Sequence, residues 1–252
     1  MKIFKKEILA HNIELSILHI ENFDQKFLEK IDKSIVKICE GKSDSSCDEV
    51  KKRMVSFLKG KDEKKIHGSI AEFFLHLYLN SMKYKQDCLF FNLEENSVKK
   101  GFDGVYTKNN EIYLMESKSG RFDTKSISHI SKIKESYTDL EKYLSGTSAK
   151  GLGNPWINAF SHANQVSVRT KKSVRDKIKQ IQRNFENNIF SSVNDFNIIP
   201  CSTIYLDGNW DEKWSNELIK NKHKLNGLCG KRIEIISITN LDVTNFKKYI
   251  GL

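Results

Sequence analysis

Residues 101–118 read GFDGVYTKNNEIYLMESK, and the fold turns on whether this stretch is a hairpin. Val105, Tyr106 and Thr107 favour extended backbone, as do Ile112, Tyr113 and Leu114. Between them lies Lys108-Asn109-Asn110-Glu111, and asparagine accepts the positive φ that a two-residue hairpin turn requires. A turn at Asn109-Asn110 pairs Lys108 with Glu111 and, counting outward, sets Asp103 opposite Glu116. Directly opposed Cβ atoms lie ~4.5–5.5 Å apart, so the two carboxylates repel unless a cation lies between them. Lys118 follows Glu116 by two residues and leaves the strand on the same face.

Asp103, Glu116 and Lys118 therefore form one constellation on one hairpin. Two carboxylates beside a backbone carbonyl make an all-oxygen site of the kind Mg²⁺, or Mn²⁺, prefers. Such an ion polarises a phosphate and generates hydroxide from bound water. A lysine beside it orients or deprotonates that water and offsets charge developing on phosphorus. The pattern suits phosphodiester hydrolysis. The bland alternative is a turn-starting aspartate followed by two edge-strand charges.

The chain has 252 residues, 38% hydrophobic and 29% charged, with only two prolines, which fits a globular protein rather than a disordered one. Its length suits a core domain with a small accessory part. We set the boundary at residue 60, with an accessory strand and helices in 1–60 and the site-bearing domain in 61–252. No apolar run reaches the ~18–20 residues of a membrane span. The first 18 residues, MKIFKKEILAHNIELSIL, lack the uninterrupted apolar core of a signal peptide. The net charge of +10 attracts phosphate polyanions and also anionic membranes, and lysine-rich composition alone gives the same charge with no functional meaning. Cys39, Cys47, Cys88, Cys201 and Cys229 form no CxxC or CxxH pair, so a reducing cytoplasm is expected rather than a zinc site or disulfide framework. No GxxxxGK[ST] loop is present, so this chain is not expected to hydrolyse nucleotides.

Along the chain, IELSILHI (13–20) reads as a strand and 23–39 as a helix. Ser45 and Asp48 resemble a capping box for the helix that follows. Residues 62–82 are apolar nearly all round, with Glu72 and His76 the strongly polar exceptions between Ile70 and Leu79. A buried glutamate needs a metal, a lysine or another partner; the plain alternative is that Glu72 and His76, four apart, satisfy one another at a solvent-facing edge. CLFFNL (88–93) reads as a short buried strand, followed by a polar turn at 94–97. A helix runs from about Ser126 to Leu144. Asn154-Pro155 starts another, with Trp156, Phe160, Ala163 and Val166 facing inward. Arg169, Lys171, Lys172, Arg175, Lys177, Lys179 and Arg183 then face a single acid, Asp176. Such a run contacts phosphates without reading sequence, unless it is only a solvated face. Residues 198–206 and 233–238 read as strands, the first at a sheet edge because of Pro200. A closing helix carries Val243, Phe246 and Ile250, and Trp210 and Trp214 are expected to pack on the core.

The order of a helix bearing Glu72, then GFDGVY with Asp103, then Glu116-Ser117-Lys118, then a helix, resembles the PD-(D/E)xK nuclease superfamily. The resemblance implies an α/β fold with a central mixed β-sheet flanked by helices. It implies metal binding by Asp103, Glu116 and the Ser117 carbonyl, Lys118 as the catalytic lysine, and Glu72 as a further metal contact. Phe102 stands where many members have proline. More narrowly, GFDGVY, ESK and the helix IHGSIAEFFLHLYL are similar to the HamA subunit of Hachiman anti-phage defence systems, over roughly residues 66–145. Tyr106 and Met115 stand where that family often has histidine and glycine. This narrower resemblance implies a metal-dependent DNA nuclease effector controlled by a helicase partner. The alternative is a non-catalytic subunit that keeps the fold and binds nucleic acid or a partner.

Overall fold

The computed structural model describes residues 1–91, 101–148 and 153–252. The chain opens with an antiparallel pair, β1 (Lys2–Ala10) and β2 (Ile13–Ile20). Three helices follow, each with a side-chain cap at its N-terminus. Asp24 accepts from the Phe27 N–H to begin α1 (Gln25–Glu40). Ser46 and Glu49 form a reciprocal capping box on α2 (Cys47–Leu58), one residue later than Ser45 and Asp48. Asp62 caps α3 (Glu63–Ser81). Then come the short β3 (Lys85–Gln86), β4 (Gly104–Lys108) and β5 (Glu111–Arg121). Ser128 caps α4 (His129–Leu144), and Asn154 caps α5 (Pro155–Asn164) with proline at its first position. The basic run becomes α6 (Lys172–Glu186). The chain closes with β6 (Asn197–Tyr205), α7 (Lys213–Asn221), β7 (Arg232–Asn240) and α8 (Thr244–Ile250).

All seven strands form one mixed sheet in the order β1-β2-β7-β6-β5-β4-β3. The central β2, β7, β6 and β5 pair in parallel, and the two ends are closed by antiparallel pairs. Parallel strands covered on both faces read as near-continuous apolar runs, which IELSILHI and NIIPCSTIY do. One face packs against α1, α2, α3 and α8 through residues such as Ile35, Met54, Phe73 and Phe246. The other packs against α4, α5, α6 and α7 through Leu140, Trp156, Ile178 and Leu218. Burying such a side chain fully contributes ~1.5–3 kcal/mol, so the sheet is held from both sides.

The mixed α/β architecture is as expected, and several local expectations are corrected. β1 is an additional strand; its exposed Ile3 and Ile8 blur the alternation that marks a half-buried strand. Residues 88–91 are buried but irregular, and the pairing strand lies earlier, at Lys85–Gln86. Residues 92–93 and the turn at 94–97 lie outside the described residues. β6 is central rather than at an edge. Its ladder to β7 skips Ile199 and Pro200, so the missing proline N–H is accommodated by a gap. Trp156 and Ala163 are buried, but Val166, just past α5, is 90% exposed. Trp210 and Trp214 are half-buried, Trp210 lying edge-on to His19.

Candidate active site

Asn109 and Asn110 take φ of 53° and 63°, so β4 turns straight back into β5. The ladder runs from Lys108 with Glu111 to Gly104 with Met115, the register read from the sequence. One step beyond its end, Asp103 and Glu116 are the next residues. Asp103 does not simply face Glu116; its Oδ2 accepts the Ser117 N–H at 2.8 Å. This bond pins the aspartate against the strand that carries the other two residues.

Lys118 is the centre of the cluster. Its Nζ lies 2.5 Å from Glu116 Oε1 and 2.9 Å from Asp139 Oδ2, and 3.4 Å from the Ser117 carbonyl oxygen. Asp139, on α4, was not among the residues singled out from the sequence. Its only signal was position: three residues after the buried Ser136 and four before the buried Tyr143, on the flank of an apolar stripe.

The electrostatics are strained. Burial, and then the charge of Asp103, push the Glu116 carboxyl well above the ordinary carboxylate range. Burial works against the Lys118 ammonium, yet Glu116 and Asp103 outweigh it and hold the lysine charged. Burial and the Glu116 charge also raise the Tyr143 phenol, and burial with Asp103 raises the Cys201 thiol. Glu116 Oε2 has no hydrogen-bond partner among the described residues. An orphaned buried carboxylate oxygen beside Asp103 is a place that a cation would fit. Two carboxylates and a carbonyl are hard donors, which fit Mg²⁺ in kind. Among the described residues no group of three or more His, Cys, Asp or Glu side chains is arranged to hold a metal ion.

Glu72 is placed differently. α3 packs on the sheet face that carries Tyr106 and Met115, whereas Lys118 leaves toward Asp139 on α4. Glu72 Oε1 is 3.1 Å from His76 Nε2, and His76 Nδ1 meets the Tyr106 hydroxyl. Burial, then the Glu72 charge, hold the Tyr106 phenol protonated. The phenol therefore donates to Nδ1, which leaves Nε2–H to donate to Glu72. The Glu72–His76 pair forms as its spacing implies, but His76 is fully buried rather than at a solvent-facing edge.

The basic residues lie near the other end of the hairpin. Lys171 Nζ donates to Asn110 Oδ1 at 3.0 Å, which ties the start of α6 to the turn. Arg169, Lys172 and Lys179 are exposed and Arg175 is half-buried. The inward side of α6 is supplied by Val174 and Ile178.

A hairpin that ends in a carboxylate–lysine cluster, set in a mixed sheet with helices on both faces, defines a mixed α/β protein with a buried acidic site built around one lysine. The HamA family model matches residues 2–250, and the chain belongs to the HamA family. HamA is a component of the Hachiman anti-phage defence system, so this chain is a defence-system component that works with partners. A search of curated proteins and a search of solved structures each gave no match. Among the described residues no helix is long and apolar enough to cross a membrane.

Proposed function

We propose that this chain is the nuclease effector of its defence system, a metal-dependent enzyme that hydrolyses DNA phosphodiesters under the control of a helicase partner. The observation that carries the reading is the Lys118 ammonium held between Glu116 and Asp139, with Asp103 locked onto the next backbone N–H. Asp103, Glu116 and the Ser117 carbonyl would hold Mg²⁺ or Mn²⁺, and Glu72 would join them only by leaving His76. When bound, the ion supplies Lewis-acid polarisation of the phosphate and an acidified water.

The protein's own residues do the rest. Asp103 is oriented by the Ser117 N–H, which holds its carboxylate against the strand that carries Glu116 and Lys118. Glu116 is desolvated and electrostatically repelled by Asp103, so it binds a cation more strongly than an exposed carboxylate does. Lys118 would present its ammonium to the phosphate, where negative charge grows in the transition state. Asp139 keeps the lysine from leaving the site. The basic face of α6, with Arg169, Lys171, Lys172, Arg175 and Lys179, supplies sequence-independent attraction for the DNA backbone.

The alternative, a non-catalytic binding subunit, leaves the buried and orphaned Glu116 Oε2 without a purpose. The deciding experiment is cleavage of supercoiled plasmid with Mg²⁺ or Mn²⁺ and with EDTA, by wild type and Lys118→Ala, with and without the co-encoded helicase. Metal-dependent cutting that disappears in the variant is the expected result. No cutting by wild type in any mixture sinks the catalytic reading and leaves the binding one.

A further inference from the structure

A second feature lies at the opposite end of the hairpin from Glu116. A groove of about 660 Å³ opens between the β4–β5 turn, the end of α3 and the start of α6. Lys83, Lys85, Lys108 and Lys171 line it, and no Asp or Glu does. These lysines come from separate elements and converge on one concavity. A merely solvated charge run spreads its ammonium groups apart, so convergence needs a reason.

The groove has a constructed floor. Asp87 is fully buried. It accepts from the Thr107 hydroxyl at 2.8 Å and from the Thr170 hydroxyl at 2.7 Å, and it lies 2.5 Å from the Lys85 ammonium. One saturated carboxylate thus ties β4, the segment before α6 and Lys85 together. Lys108 is braced 4.1 Å from the centre of the Tyr84 ring, and Lys171 is braced on Asn110. The nearest acid on the hairpin, Glu111, is engaged with Lys231 at 2.9 Å. Asp87 offsets Lys85, which leaves Lys83, Lys108 and Lys171 lining a concavity with no Asp or Glu among its described lining residues, so an entering anion meets net positive charge.

We propose that this groove seats the phosphate backbone of the nucleic acid, at a fixed distance from the carboxylate–lysine cluster. Lys108 lies five residues along the hairpin from Asp103, and strands rise ~3.4 Å per residue, so the groove and the cluster lie about 17 Å apart along the hairpin. Successive base pairs are also ~3.4 Å apart. A strand with its reacting phosphate at Lys118 therefore extends about five nucleotides to reach the groove. The footprint rests on the nuclease reading; the groove itself does not.

The test separates the two. Binding of labelled DNA, duplex and single-stranded, is followed by fluorescence anisotropy in EDTA over a salt series, using the full chain. Lys83→Glu/Lys108→Glu should weaken binding at least ~10-fold. The neutral pair Lys83→Gln/Lys108→Gln should flatten the log–log salt slope by about two, one per lysine. Lys64→Glu, an exposed change near the start of α3, should do neither. The groove proposal is overturned if both Lys83/Lys108 variants bind as wild type with an unchanged slope. It is also overturned if wild type fails to bind DNA, or binds a polyglutamate peptide equally well. If binding depends on the groove but nothing is cut, the groove stands and the nuclease reading falls. If cutting occurs, substrates ending fewer than about five nucleotides beyond the cut on the groove side should be poor ones.

Discussion

Two buried polar clusters lie side by side beneath α4. Lys118 of β5 is paired with Ser202 of β6, so the two touch along the sheet. On one side stand Asp103, Glu116, Lys118 and Asp139, a charged cluster in which Glu116 Oε2 has no hydrogen-bond partner among the described residues. On the other, His129 Nδ1 meets Ser202 Oγ at 2.8 Å and its Nε2 meets Thr239 Oγ1 at 3.1 Å. Ser202 donates to Ser237 at 2.9 Å, and Ser215 bridges Thr239 at 3.0 Å and His19 at 2.9 Å. Burial, with His19 nearby, pushes the His129 imidazole down to about 3, so it stays neutral. The same depth and the same helix thus cover one cluster whose needs are met from within and one whose needs are not. Stability alone explains the first. The second keeps an orphaned carboxylate oxygen and a repelled charge, which selection for folding would remove.

The comparison is broken most directly at Lys118. Lys118→Ala should lower plasmid cleavage by ~10²–10⁴, the range for a lost proton-transfer or charge-stabilising group, while DNA binding is kept. A variant that cuts like wild type would make the charged cluster as architectural as the neutral one.

The neutral cluster should respond in stability, not in turnover. His129→Leu leaves the Ser202 and Thr239 hydroxyls short of a partner and should cost about 2–3 kcal/mol at neutral pH. Acid should act through the same residue. Its folded pKa of about 3 lies below the ordinary value near 6.5, so the unfolded chain binds the extra proton first. Stability is full above about 6.5 and falls as pH drops toward 3, by up to ~1.4 kcal/mol per unit. Urea unfolding at neutral and mildly acidic pH measures both, and His129→Leu should flatten the acid loss. An unchanged acid slope in the variant would remove His129 from the account.

At Glu116 the sign reverses. Glu116→Gln removes a buried carboxyl whose ionised form is opposed by burial and by Asp103, so the metal-free protein should gain stability while cleavage is lost. Thermal unfolding in EDTA reads the gain. A loss of stability instead would mean that the Lys118–Glu116 contact at 2.5 Å outweighs the repulsion.

What could be read from the chain divides along physical lines. The hairpin was legible because its register is local: two asparagines, two β-rich runs and a period of two decide it, and Asp103, Glu116 and Lys118 follow. The parallel strands were legible by their apolar runs. Asp139 was not, because its role depends on how α4 docks on β5, and nothing in a helical period says which flank meets a lysine. The groove was missed for the same reason. Lys83, Lys85 and Lys108 fall in different elements, and only Lys171 belonged to a visible basic run. Pro200 misled because the rule for prolines in sheets concerns one missing N–H, and β6 leaves that position out of its ladder to β7 while keeping it in register with Glu116 of β5. The capping box slipped by one residue because Ser45 and Ser46 are chemically equal and only the helix phase separates them.

The smallest effect is expected at Asp139, and it sets how far the charged cluster extends. Asp139→Asn keeps an oxygen able to accept from Lys118 and removes only the charge. Losing one of its two close carboxylates should lower the lysine's proton affinity by about one unit, or ~1.4 kcal/mol, a tenfold effect. The ammonium stays protonated near neutral pH in both forms, so the expected result is a cleavage rate there within about tenfold of wild type, together with a pH–rate profile whose alkaline limb falls at lower pH. A purely structural loss would lower the rate equally at every pH. A shifted profile makes α4 part of the machinery that tunes the lysine. A profile superimposable on wild type would confine the chemistry to the three hairpin residues and return Asp139 to the scaffold that it shares with His129.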